Sequence, residues 1–262
     1  MTDSAPVVLS EDHAGVRLLT LNRPDMRNAL NAELLLALRA ALEGAAADPA
    51  VRCIVLTGAG SAFCAGADLT EFQARIHGER EATFGDNFTP IVRLLRRIEK
   101  PIIAALNGPA VGAGCSFALA CDLRIASEAG ALAVAYVRVG LIPDTGGTLI
   151  LPLLVGLPKA SELAFTGGRV ASAEALRLGL VNRVVPADEL HAAALQWGAE
   201  LAALPTVAIG LTKRAFNAAL MPQFDEHLEY ELELIAQAFD THDHREGVAA
   251  FLERREPNFT GR

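Results

Sequence analysis

The sequence has no excess of basic residues, no paired-cysteine metal motif and no long apolar run, and each absence narrows what the chain can do. With 23 Lys and Arg against 31 Asp and Glu, the net charge is −8. A broad nucleic-acid surface is therefore not expected, and an anionic ligand has to be met by a local cluster of arginines or lysines. Cys53, Cys64, Cys115 and Cys121 sit among apolar or small residues without CxxC spacing or partnering histidines, which reads as buried, reduced thiols. The histidines, His13, His77, His191, His227, His242 and His244, show no metal-ligand spacing and read as surface residues. No metal site is expected. The amino-terminal residues lack the basic and apolar regions of a signal peptide, and no apolar stretch reaches membrane-spanning length, so the expectation is a soluble, cytoplasmic protein without a membrane partner. Low-complexity segments and strict short repeats are also missing.

What is present is enough apolar material, 52% of 262 residues, for a sizeable core. Val7 to Ser10 and Val16 to Leu21 read as paired strands across EDHAG. Asn31 caps an amphipathic helix from Ala32, and Val51 to Thr57 is a strand emptying into GAGSAFCAGADL. Ile91, Leu94, Leu95 and Ile98 mark a helix that Thr89 and Pro90 start and Lys100 and Pro101 stop. Further on, Ser172 reads as the cap of a helix that Gly179 ends, and Val181 to Val185 returns to strand. From Leu190 the pattern is helical, divided by Pro205 and Pro222, with Asp243 and Glu246 forming an Asx version of the capping box before Val248 to Arg254. The class is α/β, with a core over 1–198 and a helical region over 199–262. The stripe of Leu228, Leu232, Ile235 and Phe239 needs a partner, and self-association supplies one economically.

The centre of the chain is AALNGPAVGAGCSFALACD, Ala104 to Asp122, which joins a buried strand at Ile102 to Leu106 to a helix from about Phe117 through Gly108, Gly112 and Gly114. Glycines there let backbone approach a ligand, and the first amides of the helix have no intrahelical acceptors. The spacing does not fit GxGxxG, no GK[ST] follows, and Ser116 lies in GCSFA rather than GxSxG, which disfavours a dinucleotide fold, a phosphate loop and a hydrolase serine. A turn aimed at an oxyanion remains, beside the plainer reading of a glycine turn that serves close packing.

Six motifs in order, LNRPDMRNAL, GAGSAFCAGADL, ALNGPAVGAGCSFALACDLRIAS, GLIPDTGGT, ASAEALRLGLVNRVV and FLERREPNFTGR, resemble the enoyl-CoA hydratase/isomerase (crotonase) family over nearly the full chain. The resemblance implies a spiral of repeated ββα units with a carboxy-terminal helical trimerisation region, assembled as a homotrimer or a dimer of trimers. It implies an acyl-CoA substrate, coenzyme A being part of that substrate and no separate cofactor being needed. It places the two oxyanion-hole amides on Ala67 and Ala113, with Gly114 beside the second. Ala65, Ala67, Asp68 and Leu69 fall along the adenine and pantetheine path, Arg27 falls near the phosphates, and Phe251 and Arg254 fall where the terminal helix closes over coenzyme A.

The glutamates of the hydratases are replaced, the first by Ser116 and the second by Tyr136, both poor bases at neutral pH. Asp144, in GLIPDTGG, stands where isomerases of the family place a catalytic aspartate, and the plainer reading of it is a helix cap. An apolar pocket of Ala133, Val137 and Leu141 is expected to raise its pKa. The resemblance is nearest to enoyl-CoA isomerases of the phenylacetate-pathway type, acting on ring-epoxide or delta-3 enoyl thioesters. Hydration of a trans-2-enoyl-CoA, thioester hydrolysis, halide displacement and a non-catalytic CoA- or RNA-binding role are the alternatives. Asp68, Glu71, Asp86 and Asp122 are further acids that could enter the pocket, Asp68 more naturally bracing its loop and Asp122 ending the buried helix.

Overall fold

A computed structural model describes residues 5–71 and 87–262; the expectations for His77 and Asp86 lie outside the described residues. Strands β1 (Val8–His13), β2 (Val16–Leu21), β3 (Cys53–Gly58), β4 (Ile102–Leu106), β5 (Pro109–Val111), β6 (Leu123–Ser127), β7 (Ala131–Ala133), β8 (Arg169–Ala171) and β9 (Arg183–Val185) form two sheets. The larger runs β1-β2-β3-β4-β6-β9, parallel except for the β1-β2 hairpin, and the smaller runs β5-β7-β8. Repeated strand, turn and helix units thus wind into the expected α/β spiral.

The central strands are covered on both faces, which is why β3 and β4 read as continuous apolar runs. One face packs on α1 (Ala32–Ala47), α2 (Phe88–Arg97) and α3 (Ala113–Ala120). On the other, Val16, Leu18, Val55 and Ile103 pack on the helix Leu190–Ala203. The side chains alternate as a pleated strand requires. After α3 come α4 (Gly147–Val155), α5 (Leu157–Thr166), α6 (Ser172–Arg177), α7 (Leu190–Ala203), α8 (Thr206–Leu220), α9 (Phe224–Phe239) and α10 (His242–Glu253). Asn31 caps α1 as expected, its side chain accepting from Leu34 N.

Several expectations are corrected. The buried helix begins at Ala113, not near Phe117, directly on Gly112 with φ 52° and ψ −125°. Ser172 is the first residue of α6 rather than its cap, and its hydroxyl donates to the Ser127 carbonyl at 2.6 Å. α10 starts at His242, six residues before Val248, and Thr241 caps it. Asp243 and Glu246 instead accept from the amides of Thr260, Gly261 and Asn258, which ties the tail to the helix. Among the histidines, His244 is buried, donating from Nδ1 to the Val139 carbonyl at 2.8 Å.

The helical region is not set apart from the core. The expected division after residue 198 falls inside α7, where Leu190, Ala194, Trp197 and Ala202 share one core cluster with the sheet. Leu228, Ile235 and Phe239 are buried in the main core of their own chain, with Leu232 packed against it, so that stripe needs no second subunit. The exposed apolar residues lie elsewhere, Val207, Leu211, Phe216 and Leu220 on α8 among them.

Candidate active site

Two glycine-containing loops meet at the carboxyl ends of β3 and β4. The first owes its shape to Asn28, which the sequence reading passed over. Asn28 is fully buried at φ 57°, and its Nδ2 reaches the carbonyls of Ala59, Ala62 and Phe63 at 3.0, 2.9 and 3.2 Å. Asparagine tolerates this left-handed backbone better than most residues. Arg27, also at positive φ, passes its carbonyl to Ala65 N at 2.9 Å. Farther along, Leu30 N donates to Gly66 O and Leu30 O accepts from Asp68 N, so the Ala67 amide between them points away from Leu30. Asp68 braces this loop as expected, accepting from the Thr70 hydroxyl and pairing with Arg23 at 3.1 Å.

The second loop supplies a helix start. Gly112 N is taken by the Ala133 carbonyl at 2.9 Å, while Ala113, the first residue of α3, has no intrahelical acceptor for its amide. Among the described residues no protein acceptor holds the amide of Ala67 or of Ala113. The loops touch through backbone: a Cβ on Gly66 would lie 2.8 Å from the Val111 carbonyl. No side chain fits between them.

Both alanines line one cavity of about 590 Å³. Arg27, Ala65, Asp68 and Leu69 join them from the first loop, Tyr136 and Asp144 form the inner wall, and Phe251 and Arg254 arrive from α10 and its cap. Phe251 is exposed, so the chain's own terminal helix brings an apolar ring to its own cavity. Arg138 lines it too, which places three arginines, Arg27, Arg138 and Arg254, around one opening of a protein whose net charge is −8. That is the local basic cluster an anionic ligand needs.

Gly114 is absent from the lining. A Cβ there would lie 2.6 Å from both Cβ and Sγ of Cys64 and 2.8 Å from its carbonyl, so the residue is glycine for helix-to-loop packing. Gly114→Ala is expected to destabilise the fold by about 1–3 kcal/mol. Thermal unfolding of the purified variant checks this, and an unchanged Tm would contradict it. The apolar wall also differs from expectation. Of Ala133, Val137 and Leu141 only Leu141 lines the cavity, with Val139 and Ala135, because residues 135–139 form a 3₁₀ turn that carries Val137 aside.

Asp144 is 2% exposed. Burial pushes its carboxyl up to about 7, with the charge of Glu231 adding to the rise and hydrogen bonding from Tyr136 and Thr145 opposing it. It does not cap α4, whose first turn is preceded by Gly146. Of the cavity's carboxylates among the described residues, Asp25 is exposed and Asp68 is ion-paired, which leaves Asp144 as the buried one without a cation. The hydroxyls of Ser116, Tyr136 and Thr145 form a chain behind it, Ser116 to Tyr136 at 2.9 Å and Tyr136 to Thr145 at 3.2 Å. Burial, chiefly, holds Tyr136 well above its ordinary value, so it stays a neutral donor. Two unclaimed amides and one carboxyl poised near neutrality can hold an oxyanion and move a proton.

Known proteins are similar to this chain over nearly its whole length. A model of the enoyl-CoA hydratase/isomerase family matches residues 11–262. The 1,2-epoxyphenylacetyl-CoA isomerase of Escherichia coli (strain K12) is 38% identical over 97% of this chain and 98% of its own. The short-chain-enoyl-CoA hydratase of Clostridium acetobutylicum is 37% identical over 95% of each chain. The crystal structure of an enoyl-CoA hydratase from Mycobacterium avium subsp. paratuberculosis K-10 matches with a TM-score of 0.88 at 35% identity, covering 97% of this chain and 98% of that one.

Proposed function

The chain belongs to the enoyl-CoA hydratase/isomerase family, and from that premise we propose that it moves the double bond of an enoyl-CoA thioester, with Asp144 as the acid and base. The observation that carries this reading is Asp144, which among the described residues is the one buried carboxyl on the cavity wall without a cation; the family resemblance puts Tyr136, on that wall, and Ser116, hydrogen-bonded behind it, where hydratases carry their glutamates.

In this mechanism the thioester oxygen sits between the amides of Ala67 and Ala113. Asp144 removes a proton from the α-carbon of a delta-3 enoyl thioester, and negative charge moves onto the thioester oxygen as a dienolate. The same carboxyl returns the proton to the γ-carbon, leaving the delta-2 isomer. Each fixed amide of such a pair contributes about 3–4 kcal/mol of barrier lowering. Arg27, Arg138 and Arg254 suit the phosphates of coenzyme A, and Phe251 gives its adenine or pantetheine an apolar surface. Exposed Val207, Leu211, Phe216 and Leu220 support a homotrimer or hexamer, and sedimentation as a monomer at micromolar concentration would refute that.

A carboxyl at about 7 makes the reaction pH-dependent in one direction. The base is the ionised form, so kcat for a delta-3 enoyl-CoA should rise with pH to a midpoint near 7 and fall about tenfold per unit below it. A flat profile from pH 5 to 9 would remove Asp144 from the rate-limiting step. Water addition is the second reading, favoured by relatives that carry the hydratase name; it would have to rely on Asp144 alone, since neutral Tyr136 cannot activate water.

A further inference from the structure

The amides at the start of α4 are held by a carboxylate from a distant helix. Glu231 of α9 is 1% exposed, and its Oε2 accepts from Gly146 N at 2.7 Å. Oε1 accepts from Thr148 N at 3.0 Å and from the Thr148 hydroxyl. Asp144 lies two residues ahead of the cap Gly146, and its carbonyl accepts from the Gly147 amide at 2.8 Å, so its backbone as well as Glu231 is bound to the start of α4. With the amides occupied, its carboxyl is left to the cavity. The chain between them is strained into place: Thr145 has φ 55° and Gly146 φ 77°, and a β-branched residue in the left-handed region persists only where its surroundings fix it.

We propose that Glu231 is the positioning residue for Asp144: by occupying the amide donors at the start of α4 it fixes the Thr145–Gly146 turn and keeps the Asp144 carboxyl directed into the cavity. The proposal rests on the reading of Asp144 as the proton carrier, and adds to it what holds that carrier.

The surroundings of the pair agree. Glu231 faces Thr148 from α4 and, from its own helix, His227, whose Nε2 lies 3.6 Å from its Oε1 and 2.8 Å from the Thr148 hydroxyl. Asp144 is faced by Glu231 from α9, by Tyr136 from the 3₁₀ turn and by its neighbour Thr145, while Ser116 of α3 touches its carbonyl. Among the described residues, the groups that act most strongly on the Asp144 carboxyl include no cation. The negative charge of Glu231 makes the ionised form of Asp144 less favourable, so the residue that holds Asp144 also makes it a stronger base.

The test is Glu231→Gln, which keeps the shape, removes the charge and places an amide against one of the loop's donors. Two quantities are read against wild type: the titration midpoint of Asp144 by carboxyl 13C NMR, assigned by its loss in Asp144→Asn, and isomerisation kcat and KM on a delta-3 enoyl-CoA. The expected result is a midpoint moved to lower pH and a kcat lower by about tenfold or more, with KM within a few-fold. A midpoint that does not move overturns the proposal whatever the kinetics. A moved midpoint in a protein that isomerises nothing keeps the role of Glu231 and sinks the isomerase reading instead. Should Glu231→Gln fail to fold, Thr148→Val removes one donor without changing charge; kcat should then fall severalfold at constant KM, and an unchanged kcat overturns the proposal.

Discussion

Asp144→Asn should lower double-bond isomerisation by about 100-fold or more, near 3 kcal/mol of barrier, while acyl-CoA affinity stays within a few-fold. The substitution keeps the shape of the side chain and removes the only buried, unpaired carboxyl on the described cavity wall. Binding is left to other groups, the two loop amides and the rim arginines, so KM and inhibition by a saturated acyl-CoA are the controls. The same variant has a stability signature of definite sign. The folded-state carboxyl is raised to about 7 from an ordinary 3.8, so the native protein holds a proton there that the unfolded chain gives up between those values. Stability attributable to this group falls as pH rises through that window and stays low above it. Asp144→Asn should therefore unfold at higher temperature than wild type at pH 8, with the gap closing toward pH 4. A variant less stable than wild type at pH 8 would show that Asp144 serves the fold rather than the chemistry.

Ala113→Pro should abolish turnover to a similar or greater extent by a different route. Proline has no amide proton, and at the first position of a helix its ring is tolerated because that donor lacks an intrahelical acceptor anyway. The fold should survive, and what disappears is one donor to the thioester oxygen, worth about 100- to 1000-fold in rate. Circular dichroism and thermal unfolding establish that the variant is folded. Turnover in a folded Ala113→Pro protein equal to wild type would place the oxyanion elsewhere. Ala113→Gly is the contrast: it keeps the donor and should stay within a few-fold of wild type.

Local signals were legible in the sequence wherever the cause was local. Ile102–Leu106 is the predicted strand because a short apolar run after Pro101 has no other stable arrangement, and Asn31 caps α1 because its side chain reaches an amide only three residues away. The order of motifs also brought Ala67, Ala113 and Asp144 to one cavity. What could not be read were contacts across long separations. Asn28 gathers three carbonyls more than thirty residues on, and Glu231 closes on amides 83 and 85 residues earlier. Within its own helix Glu231 looks like any polar residue of an amphipathic segment. His244 reads as a surface histidine because its partner, Val139, lies 105 residues away. The stripe on α9 was correctly seen as apolar but assigned to a second subunit, because periodicity shows that a face must be covered and not by what.

The most direct test of the central claim is the mass and double-bond position of the product that purified wild-type protein makes from a delta-3 enoyl-CoA, followed over time beside Asp144→Asn. The account predicts that wild type converts it to the delta-2 isomer with no change in mass and that the variant does so about 100-fold more slowly. A delta-3 thioester that wild type leaves unconverted, or that both proteins convert to the delta-2 isomer at the same rate, would contradict it.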